Sequence, residues 1–133
     1  MSDVPIHTLP QLIDTLETTM PSEGCLERRN AARDIAEIAD NYHPITLGDQ
    51  HTIETIINEL RQSIEADTTT RGQEQQTIIA LTATLKHISR GDPQLLFDTP
   101  DSNAIIQTLG HLFSADISEA RNDALIAVAH LAE

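Results

Sequence analysis

The sequence predicts a fold built only from α-helices, and three observations lead to that prediction. Apolar residues recur with the period of an amphipathic helix along nearly the whole chain. No stretch shows the sustained alternation of apolar and polar residues that a half-buried strand would need. Helix-breaking clusters divide the 133 residues into segments of helical length, at 21–24, 43–49, 67–72 and 90–102. We expect one domain, residues 1–133, with its own core.

The helical segments fall into two alternating sets. The first set has its apolar faces at Leu9, Leu12, Ile13, Leu16 and Met20, at Ile53, Ile56, Ile57, Leu60 and Ile64, and at Ile105, Ile106, Leu109 and Phe113. The second set has them at Ala32, Ile35, Ala36 and Ala39, at Leu81, Leu85 and Ile88, and at Ala124, Ala127, Val128 and Leu131. We expect each second helix to pack on the first helix before it, with Ala36, Leu85 and Val128 buried.

The two sets repeat in register. A shift of 49 residues carries the apolar positions and the final proline of 32–44 onto those of 81–93. A shift of 44 carries the first apolar face of the chain onto the face that begins at Ile53. The short motif Arg-Asn-x-Ala also occurs twice, within 28–32 and 120–124. The sequence therefore predicts three helix pairs, in units of about 7–43, 50–92 and 101–133.

A period in the forties with two helices per unit resembles HEAT and armadillo repeats. The last unit, "SNAIIQTLGHLFSADISEARNDALIAVAHLAE", is the most similar to them. The resemblance implies three antiparallel helix pairs stacked as a short right-handed α-solenoid. The middle unit departs from the pattern by a longer turn at 65–76, and an irregular helical bundle is the alternative architecture.

The charge balance points to the solvent environment. Twenty-one acidic residues face eight basic ones, for a net charge of −13, and Lys86 is the only lysine. Threonine occurs 15 times and Trp is absent. This composition resembles that of proteins from salt-loving archaea, because concentrated salt screens the repulsion among excess carboxylates. We expect salt to raise the stability of the fold. An ordinary acidic domain is the alternative.

Several classes of function are disfavoured by the same counts. A chain this acidic, with no basic stripe, is not expected to bind nucleic acid. The first residues lack the pattern of a signal peptide, and no run approaches the length of a membrane span. Cys25 is the only cysteine, so it forms no disulfide within the chain. We expect a soluble cytoplasmic protein.

The second helices also present a face opposite their apolar stripes, which would line the inside of the stack. We expect this inner face to bind a partner through Asn30, Ile79, Ala83, Lys86, Asn122, Ile126 and Ala129. The two isoleucines have no packing role in such a stack, and an apolar patch rimmed by polar groups is typical of an interaction site. If the buried face of these helices is shifted by one residue from the predicted one, the two isoleucines would instead lie in the core.

No pattern in the chain indicates catalysis, a metal site or a cofactor. The histidines lack metal-ligand spacing, and we expect His87 to be a hydrogen-bonded filler between units two and three. We expect Arg28, Arg29 and Arg33 to form a solvated, ion-paired end cap. The sequence thus favours a non-catalytic protein–protein interaction module. Its partner would be another protein or a second copy of the chain, as in a dimer. The alternatives are an accessory or regulatory subunit of an enzyme, or a small HEAT-like lyase-type enzyme.

Overall fold

The computed structural model of the chain describes residues 8–19, 25–41, 50–65, 68–91, 94, 96, 102–113 and 117–131. Its helices, numbered in chain order, are α1 (Leu9–Thr18), α2 (Cys25–Asn41), α3 (Gln50–Glu65), α4 (Thr68–Gln73), α5 (Gln75–Gly91), α6 (Ser102–Phe113) and α7 (Ser118–Leu131). No strand occurs in these ranges, and the predicted all-α class is confirmed. The predicted unit ends at 7, 43, 92, 101 and 133 lie outside the described residues.

The helices contact one another in two rows. α2 packs against α5, and α5 packs against α7; in the other row α1 contacts α3, and α3 contacts α6. Between the rows, α1 packs on α2, α3 on α5, and α6 on α7. The short helix α4 contacts α3 and α5 and occupies part of 65–76, where the sequence predicted only a longer turn.

The core lies between the two rows and takes side chains from both. The repeat-equivalent positions Ala32, Leu81 and Ala124 are all fully buried. Of the three residues expected to face the first helices, Leu85 is fully buried, whereas Ala36 and Val128 are partly buried and pack against the core. Burial of large aliphatic side chains supplies the main favourable contribution to such a fold.

Helix α5 lies between α2 and α7 and is buried on both flanks. Two of its three buried threonines are accommodated there because their hydroxyls find partners on the helix itself, whereas Thr77 Oγ1 is buried without a hydrogen-bond partner. Thr82 Oγ1 donates to the Ile78 carbonyl at 2.7 Å, and Thr84 Oγ1 donates to the Ala80 carbonyl at 2.9 Å. These bonds offset the cost of removing hydroxyls from water. A threonine-rich helix therefore occupies the centre of the row.

Candidate functional site

The residues predicted to bind a partner lie on α2, α5 and α7, the three helices that form one row. They differ in accessibility. The exposed ones are Asn30, Asn122, Ile126 and Ala129, and the partly buried ones are Ile79, Ala83 and Lys86.

The two isoleucines on this row have different environments. Ile79 packs against the hydrophobic core and is partly covered. Ile126 is 43% exposed, and its neighbour Leu125 is 50% exposed. Adjacent helical positions project about 100° apart, so the two side chains lie on different faces of α7. Ile126, and not Ile79, is therefore the accessible isoleucine of the predicted site.

Lys86, the single lysine, already has a partner within the chain. Its Nζ donates to Asp123 Oδ1 at 3.1 Å, which joins α5 to α7. Both side chains are about four-fifths buried, with 22% and 18% exposed. A partner that used Lys86 for an acidic group would have to share it with Asp123.

His87 lies beside α2, and not between units two and three as the sequence reading expected. Its Nε2 is 3.7 Å from Asp40 Oδ1 at the end of α2, and its Nδ1 is 3.3 Å from a guanidinium nitrogen of Arg90. Burial lowers the pKa of His87, and the nearby Lys86 and Arg90 act in the same direction, while Asp40 and Asp123 oppose them. The imidazole is thus disposed to be neutral near neutral pH and to serve as a packing and hydrogen-bonding group.

Arg28, which the sequence predicts in a solvated end cap, makes several hydrogen bonds inside the protein. Arg28 is fully buried, so its assignment to a solvated end cap is wrong, although its ion pairing is right. Arg33 is exposed and Arg29 is partly buried. Arg28 lies in the first turn of α2, close to Glu59 and Ser63 of α3 and to Glu74 between α4 and α5. We call these four residues the Arg28 cluster.

Within the Arg28 cluster, one guanidinium bridges two carboxylates. Arg28 Nη1 donates to Glu59 Oε1 at 2.5 Å, and Nε donates to Glu74 Oε1 at 2.7 Å. Nη2 donates to Ser63 Oγ at 3.0 Å, and that hydroxyl donates onward to Glu74 Oε1 at 2.9 Å. Planar, multidentate geometry of this kind is what makes arginine suitable for buried ion pairs.

The same guanidinium also caps the C-terminal end of α1. Nη1 donates to the carbonyl oxygens of Leu16 at 3.1 Å and Thr19 at 2.9 Å. The last carbonyls of a helix lack partners within it and carry partial negative charge. Arg28 therefore ties the end of α1 to α3 and to the start of α5.

The charges of the Arg28 cluster do not balance when both carboxylates are ionised. One positive group faces two negative ones, and Glu74 Oε2 is buried without a hydrogen-bond partner. Burial raises the pKa of Glu59, and the carboxylates of Glu17 and Glu74 add to the rise, while Arg28 opposes it. The cluster consequently favours the neutral form of Glu59 more than solvent would.

An open groove of about 570 Å³ borders the cluster on the side of α1 and α3. Four carboxylates line it, those of Glu17, Glu54, Glu59 and Glu65. His51 Nε2 lies 2.5 Å from Glu17 Oε1 across the groove. Its walls are therefore acidic and partly paired, which disfavours anionic ligands.

Among the described residues, no three or more His, Cys, Asp or Glu side chains are grouped so as to hold a metal ion. None of the helices in the described ranges has the length and apolar character needed to cross a bilayer.

Comparison of the chain with protein-family models, with curated proteins and with solved structures gives no significant match.

Proposed function

We propose that this chain is a non-catalytic protein–protein interaction module that binds a partner segment along the row α2, α5 and α7. Its architecture would be three antiparallel helix pairs in a short right-handed α-solenoid, similar to HEAT and armadillo repeats. Asn30, Asn122 and Lys86 would orient the partner, while Ile79, Ala83, Ile126 and Ala129 would contact its apolar side chains.

The helix contacts support this architecture. Each second helix packs on the first helix before it, and the second helices contact one another in chain order. Three equivalent positions of the repeat, at 32, 81 and 124, are buried alike. Stacks in which each repeat contacts only its neighbours produce such a pattern.

The observation that carries the binding proposal is the exposure of Ile126. A buried Ile side chain contributes about 1.5–3 kcal/mol relative to an exposed one, so the fold gives up stabilisation at this position. Binding of a partner would recover it, and exposed apolar groups with polar neighbours such as Asn122 are typical of docking surfaces.

We propose a cytoplasm with concentrated salt as the working environment. The support is the net charge of −13 with a single lysine. In molar salt the Debye length falls to about 3 Å, so repulsion among surface carboxylates is screened. Docking would then depend on apolar contact more than on long-range attraction.

The test is affinity capture in molar potassium chloride with Ile126→Asp as the probe. The chain is used as bait with its native lysate, and the captured proteins are identified by mass spectrometry. We expect a protein that the wild type retains to be lost with Ile126→Asp, because central apolar anchors contribute about 2 kcal/mol or more to an interface.

Ile106→Asp is the matched control, because Ile106 is similarly exposed, at 46%, and lies on α6 in the other row of helices. It should retain the partner. Circular dichroism of both variants should match the wild type. If Ile126→Asp and Ile106→Asp both retain the same proteins as the wild type, the proposed site is wrong.

A further inference from the structure

Two carboxylates of α2 differ from the other carboxylates that the described part of the chain withdraws from water. The carboxylates there that are partly or fully buried are Asp34, Glu37, Glu54, Glu59, Glu74 and Asp123. Four of them are paired within the chain, two with Arg28, one with Lys86, and Glu54 with another group. Within the described residues, the side chains of Asp34 and Glu37 form no hydrogen bond or ion pair. Partial burial without a counter-charge is unfavourable for a carboxylate, so a cationic group from outside the chain would be stabilised here.

Both carboxylates lie on the face of α2 that belongs to the proposed docking surface. The buried stripe of α2 consists of Ala32, Ile35 and Ala39. At 100° per residue, Glu37 projects almost directly away from this stripe, and Asp34 projects about 60° from Glu37. Asn30, which already belongs to the proposed site, projects between the two. The unpaired carboxylates and the proposed site therefore share one face.

The cations nearest to these carboxylates in the sequence register do not neutralise them. The shift of 49 makes Lys86 of α5 equivalent to Glu37, but the Nζ of Lys86 binds Asp123 of α7. Arg33 lies one turn before Glu37 on α2 itself, is exposed and forms no ion pair within the described residues. Apart from dissolved salt ions, a counter-charge for Asp34 and Glu37 would have to come from a binding partner.

The same repeat positions are aliphatic at the other end of the row. The Arg-Asn-x-Ala alignment carries Asp34 onto Ile126 and Glu37 onto Ala129 of α7, and both of these are exposed. Between them on α5, the shift of 49 places the small, partly buried Ala83. Equivalent positions of successive repeats lie side by side in a stack. The docking surface thus changes from carboxylates on α2 to aliphatic side chains on α7.

We propose that the partner of this surface is a protein segment with basic side chains at one end and aliphatic side chains at the other. The inference rests on the proposed function, because it specifies the ligand of the same site. The basic end would pair with Asp34 and Glu37, and the aliphatic end would cover Ile126. Partly buried contact pairs are screened less by salt than exposed ones, and complementary charges fix the direction in which the segment crosses the row.

The width of the row sets the length of segment that can make both contacts. α5 packs between α2 and α7, and the axes of packed helices are about 8–10 Å apart, so about 16–20 Å separate α2 from α7. About six residues in extended form, or about thirteen in a helix, span that distance. A linear peptide is therefore a sufficient probe.

Peptide display against the immobilised full chain in molar potassium chloride tests the proposal. The library contains random peptides long enough to cross the row, and selected peptides are synthesised for measurement of Kd. We expect them to combine Lys or Arg with aliphatic residues. Asp34→Asn with Glu37→Gln should weaken their binding at least about tenfold, because the basic groups lose their partners. Asp34→Lys with Glu37→Lys should instead select peptides that carry Asp or Glu.

Asp14→Asn with Glu65→Gln is the matched control, because it removes the same charge from exposed positions on α1 and α3, in the other row. It should bind the peptides like the wild type. If no peptide is selected, or none loses affinity for Ile126→Asp, the proposed function itself is wrong. If the peptides depend on Ile126 but bind Asp34→Asn with Glu37→Gln as tightly as the wild type, or are weakened equally by the control, only the basic end of the partner is wrong. Circular dichroism of each variant verifies that the fold is intact.

Discussion

The two junctions along the row α2–α5–α7 are held by different kinds of electrostatic contact. At the first, Arg28 of α2 is fully buried and binds Glu74 at the start of α5. At the second, Lys86 of α5 binds Asp123 of α7 and both side chains remain in part accessible to solvent. The same row thus contains one fully desolvated ion cluster and one partly solvated pair.

Because of this difference, removal of one charged partner should cost a different amount of stability at each junction. A buried charge that loses its counter-charge cannot be solvated, so breaking the pair is costly. A partly exposed charge regains water and salt ions when its partner is removed. The first junction should therefore be sensitive to single substitutions and insensitive to salt, and the second should show the opposite behaviour.

The largest effect is expected for Arg28→Ala. The substitution leaves Glu59 and Glu74 without their counter-charge and removes the donor to the end of α1. We expect a loss of about 3–5 kcal/mol in the free energy of unfolding, as for other broken buried ion pairs. Chemical denaturation in molar potassium chloride measures it.

Arg33→Ala is the control for Arg28→Ala, because Arg33 is exposed on the same helix. It should unfold close to the wild type. Equal destabilisation by the two substitutions would contradict the role given to the buried cluster.

An intermediate effect is expected from the titration of Glu59. Because burial raises its pKa in the folded protein, the folded state binds the proton more tightly than the unfolded state does. The resulting stabilisation is complete below the ordinary pKa of 4.5 and is lost as the pH rises through the raised value. In Glu59→Gln this contribution is absent.

The measurement is the difference in unfolding free energy between wild type and Glu59→Gln as a function of pH. As the pH falls, the unfolding free energy of the wild type should rise relative to that of the variant, by at most about 1.4 kcal/mol per pH unit for one group. Glu65→Gln, an exposed position on the same helix, controls for the general effect of removing a negative charge. A difference independent of pH would contradict the raised pKa.

The smallest effect is expected at the second junction. A double-mutant cycle with Lys86→Ala and Asp123→Ala should give a coupling energy of about 0.2–1 kcal/mol in low salt. Part of it should disappear in molar salt, since the pair is accessible to screening ions. A coupling energy that equals the loss caused by Arg28→Ala would show that the two junctions do not differ.

The repeat alignment itself indicates that Arg28 is buried, because it places Arg28 at a position that is buried in the other two units. The shift of 49 carries Arg28 onto Thr77, and the Arg-Asn-x-Ala alignment carries it onto Ala120. All three are fully buried. The apolar stripe that the sequence predicts for α2 begins at Ala32, although Arg28 lies one turn earlier on the same face. The sequence predicts solvent exposure for an arginine even at an apolar position, because charged residues are seldom buried unless paired.

The all-helical class was determined by the sequence alone, because it depends on the spacing of apolar residues along the chain, and this spacing is local. The apolar positions of each helix, including Ala32, Leu81 and Ala124, followed from the same spacing. The tertiary structure decided which polar groups lose their water. Glu59 and Glu74 are 15 residues apart in the chain, and both are more than 30 residues from Arg28. Only the packing of α1, α2, α3 and α5 brings them together. Likewise, carboxylates lie on both helices beside α5, and only the assembled rows decide that Lys86 binds Asp123 and not Glu37. A periodic pattern records that one face is buried, but which flank meets a neighbour is a property of the assembled rows.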